Sequence, residues 1–322
     1  MLYIDDQTYN LQQAKRHHAQ FISCYLIRKV YGNDVSKRCT DATCKICRSK
    51  TRKQNTSKYL FSILKQINLN EVAIAEPSKL LKLNHQFNKL YLKSRKRISD
   101  QDKRSIEGIF NYTWFNDKKN KLYNAYDLCN SLKIETCVYC NRLYNTTVIH
   151  EKRELIIRPT LDHWFPQNQY PLLALSFYNL IPSCSPCNSS VKHASTFTLS
   201  KNIHPYLDKN ITHDYQLKSV YDRSLNTFKI KVESKNVKVI STLKEMKIAE
   251  IYEHHQSELA DLDLLRRKYN KSYLTGLGKL LNTKLTEKEV YRIMFGVEYE
   301  DENFHKRPLS KLKKDLLNIK IK

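Results

Sequence analysis

The sequence predicts an α+β fold, mostly helical. A zinc-stabilised module over residues 122–200 sits between a helical region, 1–121, and an α+β region, 201–322. Three observations carry this. Apolar residues recur at helical spacing through the first 120 residues or so. From Thr136 the texture turns to β-branched and aromatic residues, which suit strands. Two Cys-x-x-Cys pairs, Cys137 with Cys140 and Cys184 with Cys187, bracket that change. Four thiolates at this spacing satisfy a tetrahedral Zn²⁺ completely, so a metal there holds the fold and does no chemistry.

Each element has its own signal. Gln7 to Tyr31 has apolar residues near helical spacing and stops at Gly32, which suits a left-handed C′ position. Ser57 to Ile67 and Pro77 to Arg97 repeat the pattern, Asp100 caps a helix through Phe110, and Tyr123 to Leu132 is the last helix before the cysteines. Leu143 to Ile149 and Leu155 to Leu161 read as a hairpin joined by the charged turn from His150 to Glu154. A loop from Pro166 to Pro171, the apolar run Leu172 to Leu180 and a short helix from Ser185 through Lys192 follow. Strand, strand and helix with a metal at the base is the expected order. Tyr215 to Tyr221 and Thr227 to Val232 form a second hairpin, and Thr242 to Tyr269 one long helix. Thr286-x-x-Glu289 is a capping box, and Pro308 opens a last basic helix.

Composition narrows the class. An apolar fraction of 41% over 322 residues is ample for packed cores. No apolar run reaches membrane-spanning length, and the first residues lack the basic-then-apolar build of a secretion signal, so a cytoplasmic protein without a membrane partner is expected. Nine cysteines, an odd total, suit a reducing compartment and metal binding better than a disulfide framework. A net charge of +24 is the footprint of a polyanion binder, with nucleic acid, DNA first, as the expected partner. The bland alternative is compositional: 40 of the 56 basic residues are lysine in a chain also rich in Asn, Ile and Tyr.

Between and after the cysteines lie Leu161-Asp162-His163-Trp164-Phe165-Pro166, then Tyr178-Asn179-Leu180, then Asn188 and Lys192. Taken in order, Cys-x-x-Cys, Asp-His, Asn-Leu and Cys-x-x-Cys-Asn-x-x-x-Lys resemble the HNH endonuclease superfamily, whose ββα-metal site is zinc-clasped in many members. The likeness covers roughly residues 135 to 195. More loosely, the wording from Arg158 to Pro166 and from Leu175 to Cys184 resembles bacterial HNH proteins, some in phage-defence loci. The resemblance implies a metal-dependent endonuclease that hydrolyses nucleic-acid phosphodiesters, in antiphage defence and beside a partner ATPase.

The residues suit that chemistry. His163, mostly neutral at pH 7.5 with an unperturbed pKa of about 6.5, is the candidate general base. Asp162 and Asn188 offer oxygen ligands for a catalytic Mg²⁺ or Mn²⁺. Adjacent strand residues point to opposite faces, so the strand has to bend or end near His163 if both serve one site. Lys192, one helical turn beyond Asn188, is a candidate for holding a phosphate. Arg142 and Arg158 are phosphate-holding candidates or ordinary surface charges. The resemblance implies that Asn179 ties the loop to the backbone and so orients the histidine. His193, five residues after Asn188, turns about 140° away on an α-helix and stands in reserve as a ligand. The rival reading is a non-catalytic zinc-dependent module that binds nucleic acid or protein.

Cys39, Cys44 and Cys47 form a second cluster with basic flanks. It is a second zinc site if His17, His18 or Cys24 supplies a fourth ligand, and a metal-free knuckle otherwise. His254 and His255 read as a solvated helix face, and Cys129 as a small core residue.

Overall fold

Helix α1, Tyr9–Tyr31, is the longest element of the computed structural model, which describes residues 1–5, 7–49, 52–93, 97–193, 195–268, 272–273, 275–276 and 285–321. It ends at Gly32, whose φ of 70° would strain any side chain, with the Gly32 N–H bonded to the Arg28 carbonyl. Six short helices follow before the cysteine module: α2 Lys45–Arg48, α3 Lys58–Leu64, α4 Leu69–Ile74, α5 Pro77–Leu92, α6 Asp100–Ile109 and α7 Tyr112–Asn116. Side-chain oxygens of Ser57, Asn68, Ser99 and Asn111 cap four of them by accepting first-turn N–H groups. Helix α8, Ala125–Leu132, opens on a capping box in which Asn124 and Asp127 exchange bonds. Residues 94–96 and Tyr269, over which helices were expected to run, lie outside the described residues.

The described strands form three separate antiparallel pairs, a largely helical fold with small sheets. Strand β1, Val148–Ile149, pairs with β2, Leu155–Ile157. Strand β3, Thr160–His163, pairs with β4, Leu180–Ser183, placing Asp162 opposite Ile181 and His163 opposite Leu180. The hairpin expected from Leu143 to Leu161 therefore forms across its His150–Glu154 turn, but only over Val148–Ile157; Thr160 and Leu161 pair with β4 instead. Pro159 has no N–H to give a ladder, so the chain leaves one pairing before it and joins another after it. Much of the apolar run from Leu172 to Leu180 is two tight turns feeding β4.

Strands β5, Tyr215–Asp222, and β6, Thr227–Ser234, form the expected second hairpin. The single long helix expected after it is three: α9 Val237–Glu245, α10 Ile248–Glu253 and α11 Gln256–Lys268, all packed on β6. Lys247, with φ of 51°, redirects the chain so that Met246, Ile248 and Tyr252 are all buried. One straight helix would have run off the short hairpin. Helix α12, Glu287–Phe295, carries the Thr286–Glu289 capping box, and α13, Ser310–Leu317, packs on α11 and β5. One buried cluster runs from α1 through Trp164 and both cysteine pairs to α13. No described helix is long and apolar enough to cross a membrane.

Candidate metal centres

Cys137 and Cys140 sit on a turn after α8. Asn141, left-handed at φ 48°, bonds back to the Cys137 carbonyl at 2.7 Å, while the Cys137 N–H reaches the Leu143 carbonyl at 3.1 Å. Cys184 leaves β4, and Cys187 lies on the helix Pro186–Lys192 that follows. All four thiols are buried, and their sulfurs lie within 4.8 Å of one another, Cys140 and Cys184 at 3.9 Å. A tetrahedron with Zn–S bonds of about 2.3 Å has edges of about 3.8 Å, so the set fits a closed structural zinc. Hydrogen bonds among the four thiols lower Cys140 while burial and those same bonds raise Cys137 and Cys187, so four thiolates together call for a cation among them.

The second cluster is also complete. Cys24, from α1, joins Cys39, Cys44 and Cys47, again with all sulfurs within 4.8 Å. The Cys47 N–H points at the Cys44 sulfur at 3.5 Å. His18 is not the fourth ligand: its ring nitrogens are taken by the Tyr123 hydroxyl at 3.1 Å and the Leu175 carbonyl at 2.8 Å. His17 packs its ring against Phe21 and Tyr123. None of the nine cysteines forms a disulfide.

The polar residues between the cysteines come together beside the first cluster. Strand β3 ends at His163, and Asp162, His163, Asn188 and His193 line one open cleft of about 430 Å³ with Gln167 and Asn168. The helix Pro186–Lys192 is wound wider than an α-helix, with the His193 N–H bonded to the Asn188 carbonyl at 3.0 Å. An i→i+5 turn returns residue i+5 towards residue i, so His193 stands beside Asn188 instead of far round the helix. Asn179 is buried and closes the intervening loop, accepting from the Phe165 N–H at 2.7 Å and donating to the Phe165 and Leu173 carbonyls.

Asp162 and His163 are already committed. The His163 Nε2 donates to the Ala174 carbonyl at 2.9 Å, and burial lowers its pKa. Asp162 accepts from the Tyr139 hydroxyl at 2.5 Å and pairs with Lys192 at 3.1 Å, with only 4% and 1% of the two charged side chains exposed. Lys192 also donates to the His163 carbonyl at 2.8 Å, so its ammonium faces inward and not towards a phosphate. Arg158 donates to Pro159 and Asn116 and lies over the Tyr126 ring, and Arg142 keeps a buried Nε beside the knuckle.

These contacts correct the expected nuclease. A divalent ion at Asp162 would have to evict a buried ammonium and leave that charge unpaired. Among the described residues, the sets of three or more His, Cys, Asp or Glu side chains that converge on one point are the two all-cysteine clusters, and no catalytic histidine or carboxylate joins either. The endonuclease, hydrolase and defence readings fall with this, as does the general-base role of His163 on a metal held by Asp162 and Asn188. One residue was missed: Tyr139, inside the first Cys-x-x-Cys, had no signal beyond its position. Cys24, one of the three residues expected to supply a fourth ligand to the second cluster, is the one the fold brings there.

Fold and site together define a largely helical protein with two four-cysteine clusters able to coordinate metal, consistent with a zinc-binding module. No family model matches the chain, and no curated protein or solved structure matches it.

Proposed function

We propose that this chain is a non-catalytic zinc-dependent module that binds nucleic acid. Residues 122–200 supply a zinc-clasped ββα scaffold resembling that of HNH proteins, used for shape and not for cleavage. The regions 1–121 and 201–322 supply basic surface around it.

The observation that carries the reading is a cleft of about 750 Å³ beside the second cluster. Lys29, Arg52, Lys53 and Lys58 line it with Phe61 and no carboxylate, and none of the four forms a salt bridge among the described residues. The local chain brings them there. Cys24 ties α1 to the knuckle, Arg28 donates to the Ser49 carbonyl at 2.9 Å, and the Gln54 N–H bonds to the Lys29 carbonyl at 2.9 Å. Basic residues from two segments therefore converge because a metal clasp pins the segments. Four cations without a carboxylate partner among the described residues, one of them with its ammonium 4.6 Å over the Phe61 ring, suit a phosphodiester backbone.

The test is fluorescence anisotropy with labelled single- and double-stranded oligonucleotides across a salt series. Four phosphate contacts predict a log–log slope of about −3 to −4. The double variant Arg52→Glu/Lys53→Glu is expected to weaken binding at least about tenfold and to flatten that slope. Absence of binding at low salt, or a variant that binds like wild type, overturns the reading.

A further inference from the structure

The two four-cysteine clusters differ in what can reach them. At the first, every cysteine is at most 4% exposed. At the second, Cys24, Cys44 and Cys47 are buried, but Cys39 is half-buried within residues 33–45, most of which are exposed. The Cys39 sulfur lies 3.5 Å from that of Cys47, closer than the 3.9 Å between Cys140 and Cys184. Arg38 precedes the one cysteine and Arg48 follows the other, both exposed. A partly exposed thiolate flanked by cations is the kind that oxidants attack first.

The place of this pair in the fold gives its oxidation a consequence. Four sulfurs complete a tetrahedral zinc site, and a bond between Cys39 and Cys47 leaves only Cys24 and Cys44 of the set, too few to hold the ion. Cys24 is the ligand that α1 contributes, so losing the metal unties α1, which carries Lys29, from the knuckle that leads to Arg52 and Lys53. The basic cleft loses its clasp.

We propose that Cys39 and Cys47 form an oxidative modification site, where a hydroperoxide joins the two sulfurs, releases the outer zinc and thereby weakens nucleic-acid binding. The last step rests on the nucleic-acid-binding reading above; the chemistry at sulfur does not. The Cys39 thiolate attacks one oxygen of hydrogen peroxide, an S–O bond forms as the O–O bond breaks, and the departing hydroxide takes a proton to become water. The Cys47 thiolate then attacks the Cys39 sulfur, an S–S bond replaces the S–O bond, and a second hydroxide leaves and is protonated. In sum, two thiolates, one peroxide and two protons give one disulfide and two waters. The sulfurs give up two electrons and the peroxide takes both.

The experiment treats the whole zinc-loaded chain with hydrogen peroxide. A chromogenic chelator follows zinc, alkylation with mass spectrometry maps the bonded cysteines, and anisotropy follows a labelled oligonucleotide. One zinc is expected to leave well before the other, with Cys39 bonded to Cys47 and the cysteines of the first cluster still reduced. Oligonucleotide affinity should fall at least about tenfold, and a dithiol with added Zn²⁺ should restore it. Cys39→His keeps a fourth zinc ligand but lacks the sulfur, and its zinc should leave at least about fivefold more slowly under peroxide. Should that variant not take up two zinc ions, the wild-type mass map decides, because it locates the bond without a substitution. A first bond between any other pair, or first loss of zinc from the inner cluster, overturns the site. A Cys39–Cys47 bond that leaves oligonucleotide affinity unchanged overturns the control of binding. A reduced protein that binds no oligonucleotide overturns the parent reading, while the zinc and mass readouts still judge the oxidation site.

Discussion

At the scale of single residues, the Asp162–Lys192 pair governs what the cleft beside the first cluster can do. Removing one partner leaves the other charge buried, which costs about 3–5 kcal/mol in comparable sites. Lys192→Met is therefore expected to lower stability by that order in urea unfolding, and Asp162→Asn added to it should recover most of the loss. A single variant as stable as wild type would show that the ammonium is not needed by the carboxylate. His204 makes a second case. It is fully buried, with its ring 4.7 Å from Trp164, and burial pulls its pKa down to about 3. The unfolded imidazole titrates near about 6.5, so between these values the unfolded chain binds the extra proton. The contribution is complete above about pH 6.5 and is lost as pH falls towards the folded value of about 3. At about pH 5 the loss is about 2 kcal/mol. His204→Phe should lose less stability than wild type between about pH 7.5 and 5, and the difference between the two curves separates the imidazole from protonation of the thiolates. Sequence order was enough to bring Asp162, His163 and Asn188 to one cleft. It could not reveal that Lys192, expected to hold a phosphate, turns inward to Asp162, because helical spacing gives a face but not what lies opposite that face.

At the scale of elements, signals that depend on a few neighbouring residues were legible, and those that depend on distant pairing were not. The Thr286–Glu289 capping box was written in four residues and is formed, with Glu289 Oε2 accepting from the Thr286 N–H at 2.8 Å. Thr286→Ala should cost about 1 kcal/mol, read from the urea midpoint at unchanged slope. A cost near zero would mean that Glu289 holds the helix start without its partner. By contrast, the pairing of β3 with β4 across an intervening loop had no local mark, and the expected hairpin, formed over Val148–Ile157, does not extend past Pro159. The wide winding over Pro186–Lys192 was equally silent, since its last residue, Lys192, seats on Asp162, 30 residues away in the chain. Both misjudged elements lie where tertiary contacts override local preference.

At the scale of the whole molecule, the two metal clusters differ in how deeply they are set, and this orders their loss. The first has four buried thiols inside the core cluster shared with Trp164 and Tyr139, and the Tyr252 hydroxyl reaches the Cys140 carbonyl at 2.5 Å. The second has three buried thiols in the same core cluster, Cys24, Cys44 and Cys47, but includes half-buried Cys39 and lies beside the basic cleft at one end of α1. Structural zinc is worth roughly 10–16 kcal/mol of apparent binding energy, comparable with the entire stability of a domain. Elemental analysis is expected to find two zinc ions per chain. A chromogenic chelator should draw them out in two phases, the first from the outer cluster. Cys44→Ser should then keep one zinc and a folded core but lose the salt-dependent nucleic-acid binding, because Lys29 and the segment from Arg52 to Lys58 are no longer pinned together. Cys140→Ser, cutting into the shared core, should unfold the protein cooperatively. One zinc in the wild type, or wild-type binding by Cys44→Ser, would separate the outer cluster from the basic cleft and remove the structural reason for their adjacency.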